Sequence, residues 1–487
     1  MTVKNSSHIA IDLGAESCRV SLLRFNNGDP QVQIVHRFPN APLTKDESLR
    51  WDIRRIYQGI EHGLRLSAEL APEGIASLGV DGWAVDYVRL GPKGDPISDP
   101  FCYRDERTVE AEREVLARIS RETLYNLTGI QLFRGNTIHQ LYADSGSGVD
   151  QGTPWLNLPE FITFCLGGKP VSEYTNATHT QLVGLGTHQW CKDVFDAVGL
   201  DIHAAPEIVP TGTFVGGMKG PLAEITAFRN TQLLVPACHD TASAVAGIPA
   251  EGDDWAFISS GTWSLVGTLL NAPCVNDESR QKSFTNLGGV GGKICYLKNV
   301  NGMWLLRQCL DSWESQGYKC NLSELISECE SLPAPDYLFD VDAPELLTQG
   351  DMPGKINAQR QHAGFAPIPE GLAGIPTLSN SIFHSLAARY AQVLKDISAL
   401  TGKRIVRLYI AGGGSKNMHL NRLTAERTGL NVLLASTEST TLGNFAIQLA
   451  SLQGNIGDDG VKLSSVASWA DILTKHSYVS SLDRVTK

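Results

Sequence analysis

One plan is written twice in this chain, and it restricts the fold more than any other feature. "HIAIDLGAESCRVSLLRF" (residues 8–25) is an apolar strand, a glycine turn with small and hydroxyl residues, and a second apolar strand; "WAFISSGTWSLVGTLL" (residues 255–270) repeats that order. A chain of 487 residues is longer than one ordinary core supports. The restart therefore predicts two duplicated domains, 1–247 and 248–487, with the boundary near 247–255. Around these hairpins, short apolar runs alternate with helical patterns, which predicts an α/β architecture.

Residues 9–13, 17–25 and 33–38 read as the first three strands, and "IASLGVDGWAVDYVRL" holds two more. Residues 106–125 carry a charged helical pattern, and "PWLNLPEFITFCLGG" reads as a short apolar helix stopped by two glycines. Ile382, Leu386, Tyr390, Leu394 and Ile397 line one helix face behind a Ser/Asn cap. The Pro- and Gly-rich stretch 330–376 predicts irregular structure. "VRLYIA" is a strand running into "GGG" and a further helix.

Charge excludes several functions. The net charge of −11 argues against nucleic acid or an anionic membrane as partner. No apolar run approaches the ~18 residues of a spanning helix, and "MTVKNSSHIAIDLG" has no signal-peptide layout. The 10 cysteines are scattered without a CxxC pair, which predicts free thiols in a reduced, cytoplasmic protein. Whether the chain is a monomer or a homodimer is open at this stage.

Chemistry concentrates at four places. In "LLVPACHDTASAVAG" (residues 233–247) a strand runs into a small-residue helix, with His239 and Asp240 at the junction. A carboxylate there is costly unless paired or used. "IDLGAES", "SSGTWS" and "YIAGGGSKN" are glycine turns after strands, each readable alone as a plain turn. Together they suit a cradle for a nucleoside triphosphate, although the GxGxxG spacing is missing. Asp12 would repel phosphates unless a cation intervenes, so it is read as a ligand of Mg²⁺.

In order and spacing, these phrases and "VDGWAVDY", "YRDERT", "EYTNATHTQLV", "LKNVNGMWLL" and "TTLGN" resemble the FGGY carbohydrate kinases, of the sugar kinase/Hsp70/actin superfamily. The resemblance runs over nearly the whole chain. It implies two ribonuclease-H-like, actin-like ATPase domains with an interdomain active-site cleft. It also implies transfer of the ATP γ-phosphoryl group to O1 of L-rhamnulose, with L-fuculose or L-ribulose as the alternative ketose. A non-catalytic ATP-responsive clamp is disfavoured, because a clamp has no use for an acceptor base.

Matched residue by residue, Asp240 is the catalytic base and His239 a sugar hydrogen-bond partner. Thr241 is either a helix cap or a further sugar contact. Trp83 would stack on the sugar, and Asn299 would touch it. Ala15, Glu16, Ser17, Cys18 and Arg19 form the first phosphate loop, while Thr262 and Gly413 match nucleotide positions. Three residues depart from the pattern. Cys18 and Ala84 stand where Gly is expected, and Arg307 stands where Gln is common beside the nucleotide. Ala84 would lie against the sugar, with Gly82 absorbing backbone strain through angles barred to other residues.

Overall fold

The computed structural model describes residues 6–477. Six strands build the first sheet: β1 (Ser7–Leu13), β2 (Ser17–Asn26), β3 (Asp29–Pro39), β4 (Ile75–Gly82), β5 (Thr213–Gly217) and β6 (Gln232–Val235). They lie in the order β5-β6-β4-β1-β2-β3. β1 pairs antiparallel with β2 and parallel with β4, and β4 pairs parallel with β6. The second sheet also has six strands: β7 (Trp255–Ser260), β8 (Trp263–Leu270), β9 (Ile294–Asn301), β10 (Arg407–Ala411) and β11 (Asn431–Leu434) lie in the order β9-β8-β7-β10-β11, and the short strand Thr285–Gly288 flanks β9 at the edge. Here too the first strand pairs antiparallel with the second, β8, and parallel with β10, which pairs parallel with β11. The plan that the sequence repeats is thus repeated as sheet topology.

Within the described residues the chain forms two compact units. One comprises 6–251, 269–296 and 439–477; the other comprises 252–268 and 297–438. The first unit has its core on both faces of β1, every residue of which is buried. Ile9, Ile11 and Leu13 join the core of helix α1 (Ile53–Leu70), built on Ile53, Ile56, Ile60 and Leu64 at helical spacing. Asp52 caps α1 by accepting the Arg55 N–H at 2.9 Å. Ala10, on the opposite face by the two-residue alternation of a strand, joins Leu234, Leu442, Phe445 and Leu449.

That opposite face is covered by α2 (Asp240–Ala246), α4 (Ser439–Leu452) and α5 (Leu463–Ser477), whereas α3 (Ile375–Thr401) belongs to the second unit. α4 presents amides to the sheet as well as apolar groups. Gln448 donates to the Ile9 carbonyl at 2.8 Å and accepts from Ser77 Oγ at 2.5 Å. Asn444 donates to Asp81 Oδ2 at 2.5 Å. Both amides are fully buried, so these bonds decide how α4 sits on the strands.

Several local expectations need correction. The helical pattern at 106–125 is two helices, Arg107–Arg118 and Arg121–Thr128, because Ser120 caps the second through the Thr123 N–H. The stretch 330–376 contains a helix, Met352–His362, started by Asp351 accepting the Gly354 N–H and by a proline in its first turn. α3 begins at Ile375 with Gly374 at its cap, so the expected Ser/Asn cap residues lie inside it. Asn380 there accepts from His419 and donates to the Pro333 carbonyl. The cysteines are free thiols, and no helix among the described residues is long and apolar enough to cross a membrane.

α2 and α4 pack backbone to backbone. A methyl group on Gly443 would collide with the Ser243 carbonyl, and one on Gly247 with the Ser439 carbonyl. Gly443→Ala is therefore expected to destabilise the fold by about 1–3 kcal/mol, read as a lowered urea midpoint. Gly146→Ala, where an added methyl meets nothing within 4 Å, should leave the midpoint nearly unchanged.

Candidate active site

Parallel pairing sets the carboxyl ends of β1, β4 and β6 side by side. Asp12 lies opposite Asp81, and Leu13 opposite Gly82. Beyond β6 the chain stays alongside, with Gly82 bridged to His239 and its N–H donating to the Cys238 carbonyl at 2.9 Å. Glycine is required at 82 by closeness: a Cβ there would stand 2.7 Å from Leu13 Cβ. Its φ is not positive, contrary to the expected strain-absorbing role. The left-handed residue is Val85, at φ 71°, an unfavourable conformation for a β-branched side chain. Its carbonyl is held by Thr137 Oγ1 at 2.7 Å and Gln140 Nε2 at 3.3 Å.

Three carboxylates gather at this edge. Asp12 is 3% exposed, with Arg19 Nε 3.1 Å from its Oδ2. Asp81 is fully buried, and its carboxyl is pushed well above the usual range by burial, then by the charges of Asp12 and Asp240, against the Asn444 hydrogen bond. Asp240 opens α2 and keeps a side-chain exposure of 37%. Desolvation of its carboxyl raises the pKa to about 6, opposed by hydrogen bonds from Thr241 and the charge of Arg19. Thr241 Oγ1 donates to Asp240 Oδ1 at 3.1 Å, and His239 Nε2 lies 3.3 Å from the same oxygen.

A second set of residues holds this junction from behind. Glu173 accepts the Cys238 N–H at 2.9 Å and the hydroxyls of Thr175 and Thr211. Thr175 Oγ1 in turn accepts the His239 N–H at 3.4 Å. Glu160 accepts the Glu173 N–H at 3.1 Å and Asn176 Nδ2 at 2.9 Å, and burial lifts its carboxyl to about 8. His179 Nε2 is 3.1 Å from His239 Nδ1, their rings 3.9 Å apart. Burial lowers His239 to about 3 and His179 well below its ordinary value, so both are neutral at pH 7. Asp81, Glu160, Glu173 and His179 were missed in the sequence reading. The available signal was an ionisable residue inside an apolar or small-residue run.

Trp83 and Ala84 are 7% and 8% exposed. Trp83 Nε1 and Trp51 Nε1 both donate to Asp86 Oδ2, at 2.9 and 2.6 Å, and their rings lie 4.5 Å apart. The Trp83 indole is therefore mostly a packed wall, with little face to offer a ligand. Ala15 and Glu16 form the β1–β2 turn and Ser17 opens β2; Asn40 ties the turn by donating to the Gly14 and Glu16 carbonyls at 3.0 and 2.9 Å. Cys18 is already in β2 with its thiol in the core, raised to about 12 by burial, so only its main chain could meet a ligand.

The second unit holds Thr262, Asn299, Arg307 and Gly413. Thr262 lies in the turn from β7 to β8, and its carbonyl accepts the Trp304 N–H at 3.1 Å, while Gly261 O accepts that of Met303 at 3.1 Å. The helix Trp304–Ser315 thus starts on this turn, with Arg307 one turn in, 68% exposed and paired to Asp311 at 2.7 Å. Asn299 is exposed on β9. Gly412, at φ 84°, and Gly414 sit against Ser260 at the end of β7, where no Cβ fits, while the space around Gly413 is open. Thr262 and Gly413 therefore stand at the ends of neighbouring strands.

No cluster of three or more His, Cys, Asp or Glu among the described residues could hold a metal ion alone. Asp12 and Asp81, the latter with Oδ1 buried and without a hydrogen-bond partner, fit a hard cation that brings further oxygen ligands.

Comparison with known proteins bears on what this arrangement does. Residues 7–247 match the N-terminal domain of the FGGY family of carbohydrate kinases, and residues 256–452 match its C-terminal domain. A rhamnulokinase of Bacteroides thetaiotaomicron is 38% identical over 442 residues, covering 90% of this chain and 89% of its own. The rhamnulokinase of Enterococcus faecalis is 35% identical over 452 residues, covering 92% and 90%. Among solved structures, a ligand-bound xylulose kinase from Lactobacillus acidophilus shares the fold at a TM-score of 0.75, with 15% identity over 97% of each chain. Plasmodium falciparum glycerol kinase with ADP does so at 0.71, with 16% identity over 96% and 93%.

Asp86 accepts from both indoles, from Gln140 Nε2 and from the Tyr103 N–H, and it has no exposure to solvent. Asp86→Asn turns one acceptor into a donor facing donors. It should cost about 1–3 kcal/mol in urea unfolding and shift tryptophan emission as Trp51 and Trp83 loosen.

Proposed function

The chain belongs to the FGGY family of carbohydrate kinases, and from that premise we propose that it phosphorylates L-rhamnulose at O1, with ATP as donor, giving L-rhamnulose 1-phosphate and ADP. Relatives 33–38% identical over nine-tenths of the chain, named rhamnulokinases, support the choice of sugar. The observation that carries the chemistry is Asp240: an aspartate at the first turn of a helix, partly exposed, with the Thr241 hydroxyl donating to one oxygen and the His239 ring beside it.

Phosphoryl transfer needs positioning, charge stabilisation and one acceptor for the sugar's proton. In the proposed step the O1–H bond breaks, and its proton passes to Asp240. O1 bonds to the γ-phosphorus, and the bond from that phosphorus to the bridging oxygen breaks to release ADP. A pKa of about 6 leaves Asp240 ionised at neutral pH yet basic enough to take that proton. Ala84, His239, Thr241 and Asn299 are assigned to the sugar, with Trp83 as the packed wall beside it rather than a stacking face. Ala15, Glu16, Ser17, Cys18, Arg19, Thr262, Arg307 and Gly413 are assigned to the nucleotide. Asp12, with Asp81 beside it, would hold the Mg²⁺ that accompanies ATP, and that ion would supply charge neutralisation at the phosphates.

ADP release measured across L-rhamnulose, L-fuculose and L-ribulose should give the highest kcat/KM for L-rhamnulose. A higher value for either other ketose would reassign the substrate. Asp240→Asn should fold, bind Mg²⁺-ATP and lose roughly 10²- to 10⁴-fold in turnover. The acid side of the kcat profile should fall below about pH 6, because the base is protonated there. Arg19 favours the ionised form, while Asp81 and neutral His239 are the other titratable neighbours. A kcat flat from pH 5 to pH 8 would remove Asp240 from that role.

A further inference from the structure

We propose that Thr137 is a positioning residue for the sugar. It holds Val85 in a left-handed conformation that leaves the N–H groups of Ala84 and Val85 as paired donors for an oxygen of the ketose. This rests on the reading of the chain as a ketose kinase with Ala84 on the sugar side. The turn follows β4 directly, at the sheet end that carries Asp12, Asp81 and His239.

Both flanks of the turn are pinned. On one side the Trp83 N–H donates to the Leu13 carbonyl at 3.1 Å. On the other, the Asp86 carbonyl accepts the Leu158 N–H at 3.2 Å and Asn157 Nδ2 at 3.3 Å. Between them, Thr137 Oγ1 donates to the Val85 carbonyl at 2.7 Å. Gln140 Nε2 also reaches that carbonyl, but it divides two hydrogens among Val85 O, Asp86 Oδ1 and Gly135 O, at 3.3, 2.9 and 2.9 Å. The Thr137 hydroxyl donates to Val85 alone, so it is the dedicated clamp. Thr137 is fully buried at the start of the helix Thr137–Gly146, which sets the clamp on a rigid element.

A β-branched residue at φ 71° is held against its own preference, and such outliers persist where the surroundings enforce them. Here the conformation leaves two donors uncommitted. The N–H groups of Gly82 and Trp83 have acceptors, whereas among the described residues those of Ala84 and Val85 have none. The two residues are only 8% and 6% exposed, and buried main-chain donors without an acceptor are rare. Successive N–H groups at a turn of this kind face one concavity suited to an oxygen. The turn carries no cation and is flanked by Asp81 and Asp86, so an uncharged sugar oxygen is favoured over a phosphate.

Three variants separate positioning from packing. Thr137→Val keeps the shape and removes the donor, while Thr137→Ser keeps the donor. Thr137→Val should raise KM for L-rhamnulose roughly 10- to 100-fold, the loss of two hydrogen bonds, with KM for ATP unchanged. Thr137→Ser should stay within about threefold of wild type. Glycine takes a positive φ without a clamp. Thr137→Val/Val85→Gly should therefore return KM to within about fivefold of wild type, a rescue that a packing defect at the helix start would not show. An unchanged sugar KM in a folded Thr137→Val, or no recovery in the double variant, would overturn the proposal.

Spectra of ¹⁵N-valine-labelled enzyme give a readout free of turnover. The Val85 amide signal, identified by its absence in Val85→Gly, should move downfield on adding L-rhamnulose without nucleotide. It should stay in place with Mg²⁺-ATP alone. A signal unmoved by L-rhamnulose, L-fuculose and L-ribulose alike, or moved by Mg²⁺-ATP instead, would refute the role of the turn even where Thr137→Val fails to fold. A shift with L-fuculose or L-ribulose but not with L-rhamnulose would sink the choice of sugar and support the paired donors.

Discussion

Parallel pairing of β1 with β4 is the constraint on which the first unit depends. It sets Asp12 and Asp81 opposite each other at the carboxyl end of the sheet, the end where open α/β sheets place their ligands. The same register brings Gly82 against Leu13 so closely that no side chain fits, and the vacated space lets Cys238 and His239 continue the sheet. Asp240 is the next residue, free of the ladder and at the start of a helix. In the second unit the β7–β10 pairing does similar work, with Gly412 and Gly414 pressed on Ser260.

Buried charge is the recurring cost of this design. Asp81, Asp86, Glu160 and Glu173 are at most 1% exposed. Each is matched to donors from a different element: Asn444, the two indoles, Asn176, and the Thr175 and Thr211 hydroxyls. Replacing any partner would leave a desolvated group unsatisfied, so these networks tolerate few alternative packings. Two of the four residues, Asp81 and Glu173, lie beside Asp240, which of the three carboxylates at the sheet end is the one that keeps substantial contact with solvent.

Much of this was legible in the sequence. The duplicated hairpin was visible because strand, glycine turn and strand are local signals, and the resemblance to the kinases then named the residues at its turns. Asp240 stood out because its carboxylate interrupts an apolar-to-small-residue junction. The helix at Met352–His362 was missed because prolines and glycines read as breakers, whereas Asp351 and the following proline start a helix. Val85 could not be foreseen, since nothing local asks a β-branched residue for φ 71°; the strain is imposed by Thr137 and Gln140 from another element. His179 and Glu173 have meaning only through contacts some 60 residues away, and no spacing rule encodes those.

The amides of α4 have a consequence for synthesis. Ser77 and Gln448 are 371 positions apart, and they close the same sheet face. On the ribosome, residues 6–247 emerge with every strand of the first sheet and with α2, but without α4 and α5, which complete the cover of Ala10 and Leu234. At ~5–20 residues per second, roughly 10–40 s pass before residue 439 is made. For that interval the nascent chain carries an open apolar face and unmet backbone acceptors, which is the kind of surface that holding chaperones bind. A transcript cut short of α4 would therefore yield an unfinished first unit rather than a smaller catalyst.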